Sequence, residues 1–226
     1  MSKQPNIIAI DGPAASGKST LGERLAKHFG YLYFDTGVMY RAVTWAVLHS
    51  SCDVRDEIAV TKIAENTQIE VLPPSAACRK YDVLIDGRDI TDEIRSPEVE
   101  AMVSVVSAYP GVRRAMSLQQ RRIGLRGNVV MVGRDIGTVV LPEAPLKVYL
   151  EASVEVRAKR RLLEVKQRDP QMSYEEVLQA LMRRDEIDST RSVAPLRPAD
   201  DAHIIHTDNL TIEEVVRKVI DLSRGV

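Results

Sequence analysis

The sequence predicts an α/β fold built on a mainly parallel sheet, and three observations carry that expectation. Short apolar runs alternate with stretches of helical periodicity. The helical stretches open on capping signals. One stretch breaks the alternation and reads as a small antiparallel insert. With 226 residues, 44% hydrophobic and 28% charged, the chain suits one large domain, or a core carrying an insert, and is too apolar for disorder.

Strands are expected at 6–10, 31–34, 128–132, 146–150 and 203–206. Ser96-Pro97-Glu98 puts a proline just inside a helix, while Ser173 with Glu176 and Thr211 with Glu214 have capping-box spacing. The exceptional stretch lies between 66 and 95. An extended run at 69–72 leads into Pro73-Pro74-Ser75-Ala76-Ala77, a second at 81–85 into Asp86-Gly87, and a third through Ile90. Asp-Gly between extended runs is a hairpin signal, so this part is expected to be antiparallel.

Charge and cysteine content narrow the function. Lysine and arginine number 31 against 32 aspartates and glutamates, a net charge of -1 that offers no general field for nucleic acid or an anionic membrane. Cys52 and Cys78, with no CxxC and no Cys/His cluster, argue against a disulfide scaffold or a zinc site and fit a reducing compartment. The apolar run 7–10 is too short for a signal-peptide core, and no run is long enough to cross a bilayer. A soluble, cytoplasmic protein is expected.

The strongest chemical signal is Gly12-Pro13-Ala14-Ala15-Ser16-Gly17-Lys18-Ser19, a complete GxxxxGKS phosphate loop between an apolar strand and a helical stretch that starts near Thr20. Its glycines let successive backbone N–H groups close around phosphate oxygens, and the helix N-terminus adds partial positive charge. Lys18 would reach the β- and γ-phosphates and Ser19 would ligate Mg²⁺. A GTPase switch would need DxxG and NKxD downstream, and neither is present. A mechanical ATPase would have an apolar strand ending in an acid. The run 129–132 leads instead into Gly133-Arg134-Asp135, and an arginine at a strand's carboxyl edge points to a second anion beside the first.

Further arginines agree with a second anion. Asp35-Thr36-Gly37 follows the second strand, and Arg41 lies about one turn beyond Gly37, so Thr36 and Arg41 are expected on the side of the site. Arg157, Arg160 and Arg161 share one helical face, although with Glu155 and Glu164 alongside they equally suit surface ion pairing. Val177, Leu181, Arg184, Asp188 and Arg191 form one stripe that begins apolar and ends charged, as on a helix leaving the core for a polar site. Phosphoryl transfer to a nucleotide phosphate brings two polyanions together, so their repulsion must be cancelled with water kept out. The acceptor oxygen is already largely ionised at neutral pH and needs no general base, in keeping with four scattered histidines, His28, His49, His203 and His206.

Four blocks resemble the signatures of the bacterial cytidylate kinase family, in the family's order and over nearly the whole chain. They are Ile8-Ala9-Ile10-Asp11-Gly12-Pro13 with the phosphate loop, Asp35-Thr36-Gly37-Val38-Met39-Tyr40-Arg41, Gly133-Arg134-Asp135-Ile136-Gly137-Thr138-Val139-Val140, and Arg191-Ser192-Val193-Ala194-Pro195-Leu196. The resemblance implies a phosphate-loop nucleoside monophosphate kinase fold. Its core would comprise 1–65, 96–155 and 171–226, with a nucleoside-monophosphate-binding insert at 66–95 and a mobile helical lid at 156–170. It implies transfer of the γ-phosphoryl group of ATP to CMP and dCMP with Mg²⁺, by a monomer without nucleic-acid or membrane partners. Lys18, Arg134 and Arg184 would be catalytic, and residues 12–20 through Thr20, with Arg157 and Arg161, would bind ATP. Arg41 and Arg134 would hold the CMP phosphate, and Thr36 stands where many relatives have serine. Ser104, Arg113 and Asp135 would read cytosine, and Arg184, Asp188 and Arg191 would bind the sugar and nearby phosphates. A carboxylate at Asp135 would accept from the C4 amino group of cytosine and repel the carbonyl of uracil. Another small phosphate-loop kinase, acting on UMP, AMP or a non-nucleotide acid, is the alternative. A nucleotide-dependent binding module is weaker, because 4% aromatic content offers few stacking platforms.

Overall fold

Five consecutive buried residues, Ile-Ile-Ala-Ile-Asp, make the central strand, because a parallel strand covered on both faces must be apolar throughout rather than alternating. The computed structural model describes residues 4–72, 74–76, 79–167 and 169–225. Pro73 and Ala77 of the expected loop, Cys78, and position 168 within the expected lid lie outside the described residues.

In chain order the elements are β1 (Ile7–Asp11), α1 (Lys18–Phe29), β2 (Leu32–Asp35), α2 (Gly37–Leu48), α3 (Glu57–Asn66), β3 (Ile69–Leu72), β4 (Asp82–Ile85), β5 (Arg88–Asp89), α4 (Pro97–Val106), α5 (Pro110–Gly124), β6 (Val129–Val132), β7 (Leu146–Glu151), α6 (Val154–Val165), α7 (Tyr174–Thr190), β8 (His203–His206) and α8 (Ile212–Leu222). They fall into two units. One comprises Met1–Asp35 with Gln120–Val226, the other Thr36–Gln119.

The first unit is a five-stranded sheet of order β2-β6-β1-β7-β8, parallel throughout. Ile8 pairs with Val130 on one side and Leu146 on the other. Leu21 and Leu25 of α1 and Val215 and Val219 of α8 pack with Ile8, Ile10, Val130, Val148 and Leu150 in one core. Every residue of β6 is buried, whereas the edge strands β2 and β8 are partly exposed. The phosphate loop follows β1 and the Gly133 turn follows β6, so two of the motif blocks leave the carboxyl ends of adjacent strands, where α/β sheets bind ligands.

Four of the expected strands are displaced by about one residue, for local reasons. Asn128 has φ 50, a left-handed conformation that no ladder accommodates, so pairing starts at Val129. The Tyr31 N–H closes the end of α1 on the Ala26 carbonyl at 2.8 Å and β2 begins one residue later. At the other ends Asp11 pairs with Tyr149, and Glu151 with His206, extending β1 and β7 by one residue each.

The second unit contains the antiparallel sheet β3-β4-β5, with Ile69 opposite Ile85 and Ile85 opposite Arg88. Asp86 (φ 49) and Gly87 (φ 80) both take the positive φ that a two-residue hairpin turn demands. The third run is shorter than expected, with only Arg88 and Asp89 in the ladder. Ser96 caps α4 on the Val99 N–H with Pro97 at its first position, and Ser173 with Glu176 and Thr211 with Glu214 make complete capping boxes. Among the described residues, no helix is long and apolar enough to cross a membrane.

The core makes a direct prediction. Leu25, fully buried, should cost about 2–5 kcal/mol when cut to alanine. Leu163→Ala, at a position 73% exposed, should change stability by less than about 0.5 kcal/mol. Urea unfolding followed by circular dichroism compares the two; equal losses would refute this placement of the core.

Candidate active site

The phosphate loop is held in shape by its backbone. Gly12 has φ 146, and a Cβ there would run into the carbonyl oxygen of Leu150, so only glycine fits at the end of β1. Ala15 and Gly17 are also left-handed, and the loop enters α1 at Lys18. The Lys18 ammonium bends back over the loop, donating to the Pro13 carbonyl at 2.5 Å and to Ser16 Oγ at 3.3 Å. Burial holds the Lys18 pKa well below its usual value, and the charges of Arg134 and Arg184 push the same way against Asp35 and Asp11. Ser19 and Thr20 are exposed at the start of the helix.

Beside this loop, residues from two parts of the sequence form one charged cluster. Arg134, just beyond β6, donates through Nε to Asp188 Oδ2 at 2.8 Å. Arg191, past the end of α7, donates through Nη1 to Asp188 Oδ1 at 3.2 Å and through Nε to the Ala194 carbonyl at 2.7 Å. Its Nη2 lies 3.8 Å from Asp135 Oδ1. Burial alone would raise the Asp188 pKa, but the guanidiniums of Arg134, Arg184 and Arg191 outweigh it and hold the carboxyl below its usual range. The α7 stripe therefore runs as its pattern predicts, from Val177 and Leu181 buried against Ala158 to Asp188 in the cluster.

Asp11 and Asp35 were not among the residues singled out from the sequence. Both end strands, β1 and β2, and an acid closing an apolar run was the signal that could have found them. Asp11 is 5% exposed and accepts the N–H groups of Ile136 at 2.8 Å and Gly137 at 2.7 Å. Burial raises its pKa to about 6, against those two hydrogen bonds, which lower it. The 136–140 segment is a π-helical turn in which Leu141 N–H reaches back to the Ile136 carbonyl at 2.7 Å. Such turns are frequent at functional sites.

The remaining expected site residues divide. Arg157, Arg160 and Arg161 turn to three different partners. Arg157 is buried and gripped by Asp185, with Nη1 3.1 Å and Nη2 2.5 Å from its two oxygens, and also donates to the phosphate-loop carbonyl of Ala14 at 3.2 Å. Arg160 turns to Thr207 and Arg161 to Glu164. Helical spacing sets direction but not reach, and each long side chain finds its nearest acceptor. In the second unit, Thr36 is buried at the start of α2, and Arg41 pairs with Glu100 at 2.5 Å. Arg113 is fully buried, its guanidinium 5.1 Å above the Tyr40 ring and donating to the Ser107 carbonyl at 3.0 Å. Ser104 is half-buried on α4.

Asp11 gives the site a pH signature. Well below pH 3.8 the carboxyl is protonated in folded and unfolded chains alike. As pH rises toward 6 the unfolded chain loses its proton first, so the native state binds more protons and stability falls with rising pH, by on the order of 3 kcal/mol in total from this group. In Asp11→Asn that loss is absent. The unfolding free energy of the variant relative to the native chain should therefore shift in its favour by that amount between pH 4 and pH 7, measured by urea unfolding. Parallel pH profiles would show that Asp11 does not titrate in this window.

The cytidylate kinase family model matches residues 8–224. A cytidylate kinase of Roseiflexus castenholzii is 51% identical over 218 residues, 96% of this chain and 92% of that protein. One from Herpetosiphon aurantiacus is 52% identical over 219 residues, covering 96% and 94%. Among solved structures, an uncharacterized protein from Eubacterium ventriosum superposes with a TM-score of 0.54 at 12% identity over 97% of this chain and 99% of that one, a likeness of fold alone. Because the family match runs from the first strand to the C-terminal turn and these relatives align over nearly their full length, the chain belongs to the cytidylate kinase family.

Proposed function

We propose that the protein transfers the γ-phosphoryl group of ATP to the phosphate of CMP, and of dCMP, giving ADP and the nucleoside diphosphate. The observation that carries this reading is the cytidylate kinase family match over residues 8–224, together with the placement of Lys18 and Arg134 beyond the carboxyl ends of the adjacent strands β1 and β6. Two cations held together repel, and a phosphoryl group passing between donor and acceptor turns that repulsion into attraction.

In the reaction a CMP phosphate oxygen forms a bond to the γ-phosphorus as the bond to the β-bridging oxygen breaks and ADP leaves. The attacking oxygen is ionised near neutral pH, so no side chain need take a proton. The loop from Gly12 to Thr20 cradles the ATP phosphates through its N–H groups, and Lys18 leaves the Pro13 carbonyl for the β- and γ-oxygens. Arg134 and Arg184 neutralise charge on the transferring group. Arg41 and Arg134 hold the CMP phosphate, with Thr36 as a hydroxyl donor nearby in sequence. Arg184, Asp188 and Arg191 bind the sugar and adjacent phosphate oxygens, Asp188 also aiming the two guanidiniums it grips. Ser104, Arg113 and Asp135 read the base.

Ser19 supplies an exposed hydroxyl, a hard oxygen donor suited to Mg²⁺. Among the described residues no three His, Cys, Asp or Glu side chains cluster as a metal cage. That fits a cation held by one hydroxyl together with nucleotide oxygens and water. When bound it neutralises charge on the β- and γ-phosphates. Residues 66–95 are proposed as the acceptor-binding insert and 156–170 as a lid that excludes water, with Arg157 and Arg161 turning to the ATP phosphates on closure.

ADP release measured with CMP, dCMP, UMP and AMP tests the reading: the cytosine nucleotides should support turnover and the others far less, and equal rates would overturn it. Lys18→Ala should nearly abolish turnover while circular dichroism stays native, because charge needed in the transition state is removed. Near-normal activity would remove the phosphate-loop assignment. Asp135→Ala should lose about 1–3 kcal/mol in kcat/KM for CMP while UMP loses less or gains. A folded variant with an unchanged CMP-to-UMP ratio would show that Asp135 does not read the base.

A further inference from the structure

The first N–H groups of a helical turn have no partner within the turn, and the residue in front of it ordinarily caps them. Asp135 stands in that place before the 136–140 turn and is of the residue type most favoured for the task. It makes no capping bond to that turn, and its backbone has φ -146 and ψ 27. The N–H groups of Ile136 and Gly137 instead bond to Asp11, 125 and 126 positions earlier in the chain.

We propose that Asp11 is a positioning residue for the acceptor nucleotide: by capping the turn after β6, it fixes Arg134 and Asp135, which lead into that turn, in register with the phosphate loop. This rests on the CMP reading above and concerns the same site.

Neither end of the tether has slack. Asp11 is paired in the sheet with Tyr149 and is followed by Gly12, which abuts the Leu150 carbonyl. At the far end, a Cβ on Gly137 would meet the Lys147 side chain at 3.2 and 3.3 Å and Asp11 Oδ2 at 3.4 Å. Lys147 is itself anchored to Asp201 by bonds of 2.8 and 2.6 Å. The turn is thus clasped between a buried carboxylate and a fixed lysine stem, and beyond it Arg121 donates to the Val140 carbonyl at 2.9 Å. Two oxygens are needed to accept two N–H groups, and only the ionised carboxylate offers both without a proton in the way. The raised pKa records what burying that charge costs, and the two hydrogen bonds offset part of it.

Asp11→Asn keeps the shape and loses one acceptor. Gly137→Ala keeps Asp11 and crowds the turn against the anchored Lys147 stem, so that turn or stem must give by a few tenths of an ångström. In each variant the KM for CMP should rise about tenfold and the CMP-to-UMP ratio of kcat/KM should fall about tenfold, since small misplacements of a reading group are costly. The KM for ATP should change by less than about threefold. If Asp11 served folding only, kcat would fall for CMP and UMP together, with KM for CMP and the ratio unchanged, and the proposal would be overturned. Should Asp11→Asn fail to give a native circular dichroism spectrum, Gly137→Ala decides by the same thresholds. The native protein, assayed alongside, separates the two readings. No ADP release with CMP overturns the CMP reading and this proposal with it, whereas native turnover with both variants unchanged in ratio overturns the role of Asp11 alone.

Discussion

Positive charge cannot be gathered at one edge of a sheet unless something holds it there, and in this protein the carboxylate of Asp188 does so. Only 4% exposed, it takes a hydrogen bond from Arg134 on one oxygen and from Arg191 on the other, while the charge of Arg184 also reaches it. Like charges a few ångströms apart repel by on the order of 4 kcal/mol at an effective dielectric constant of about 20. One buried acid among several guanidiniums converts that strain into fixed geometry. The helix that delivers Asp188 is in turn anchored by Val177 and Leu181 against α6. An apolar stripe at one end thus sets a charged one at the other.

A second acid works at the sheet itself. Asp11 closes β1 directly before the phosphate loop, and its side chain reaches the turn after β6 because β1 and β6 are hydrogen-bonded neighbours in register. A carboxylate so deep would be excluded from an ordinary core. It is tolerated through two backbone N–H donors and the nearby Lys18 charge. Lys18 stands in the mirror position, a cation whose burial is eased by Asp35 and Asp11 and worsened by the arginines. The phosphate loop and the turn after β6 are therefore linked through buried charges as well as through the sheet.

Much of this was legible in the sequence. Capping boxes at Ser173 and Thr211, the proline at the start of α4, the Asp86-Gly87 turn and the buried strands obey local rules that operate over three to eight residues, so they could be read where they stood. The phosphate loop was readable for the same reason: it is one uninterrupted segment whose function depends on its own backbone. Strand ends were less so, since whether Asp11 or Glu151 joins a ladder depends on the neighbouring strand's length. Arg157, Arg160 and Arg161 show the limit most plainly. Their shared helical face was correct, yet their partners, Asp185, Thr207 and Glu164, include two far away in sequence.

The sequence by itself determined the alternation of strand and helix, the phosphate-loop motif and the set of arginines near it, because each depends on residue type and near spacing. Only the tertiary structure decided which acids those cations meet. Asp188 with Arg134, Asp185 with Arg157, and Asp11 with the turn at Ile136 and Gly137 join residues 54, 28 and 125 or 126 positions apart. Pairings of that kind are set by strand order in the sheet and by which helix end arrives beside it. Any of several acids in the chain has the right charge, and only the packed fold brings one of them within hydrogen-bonding distance.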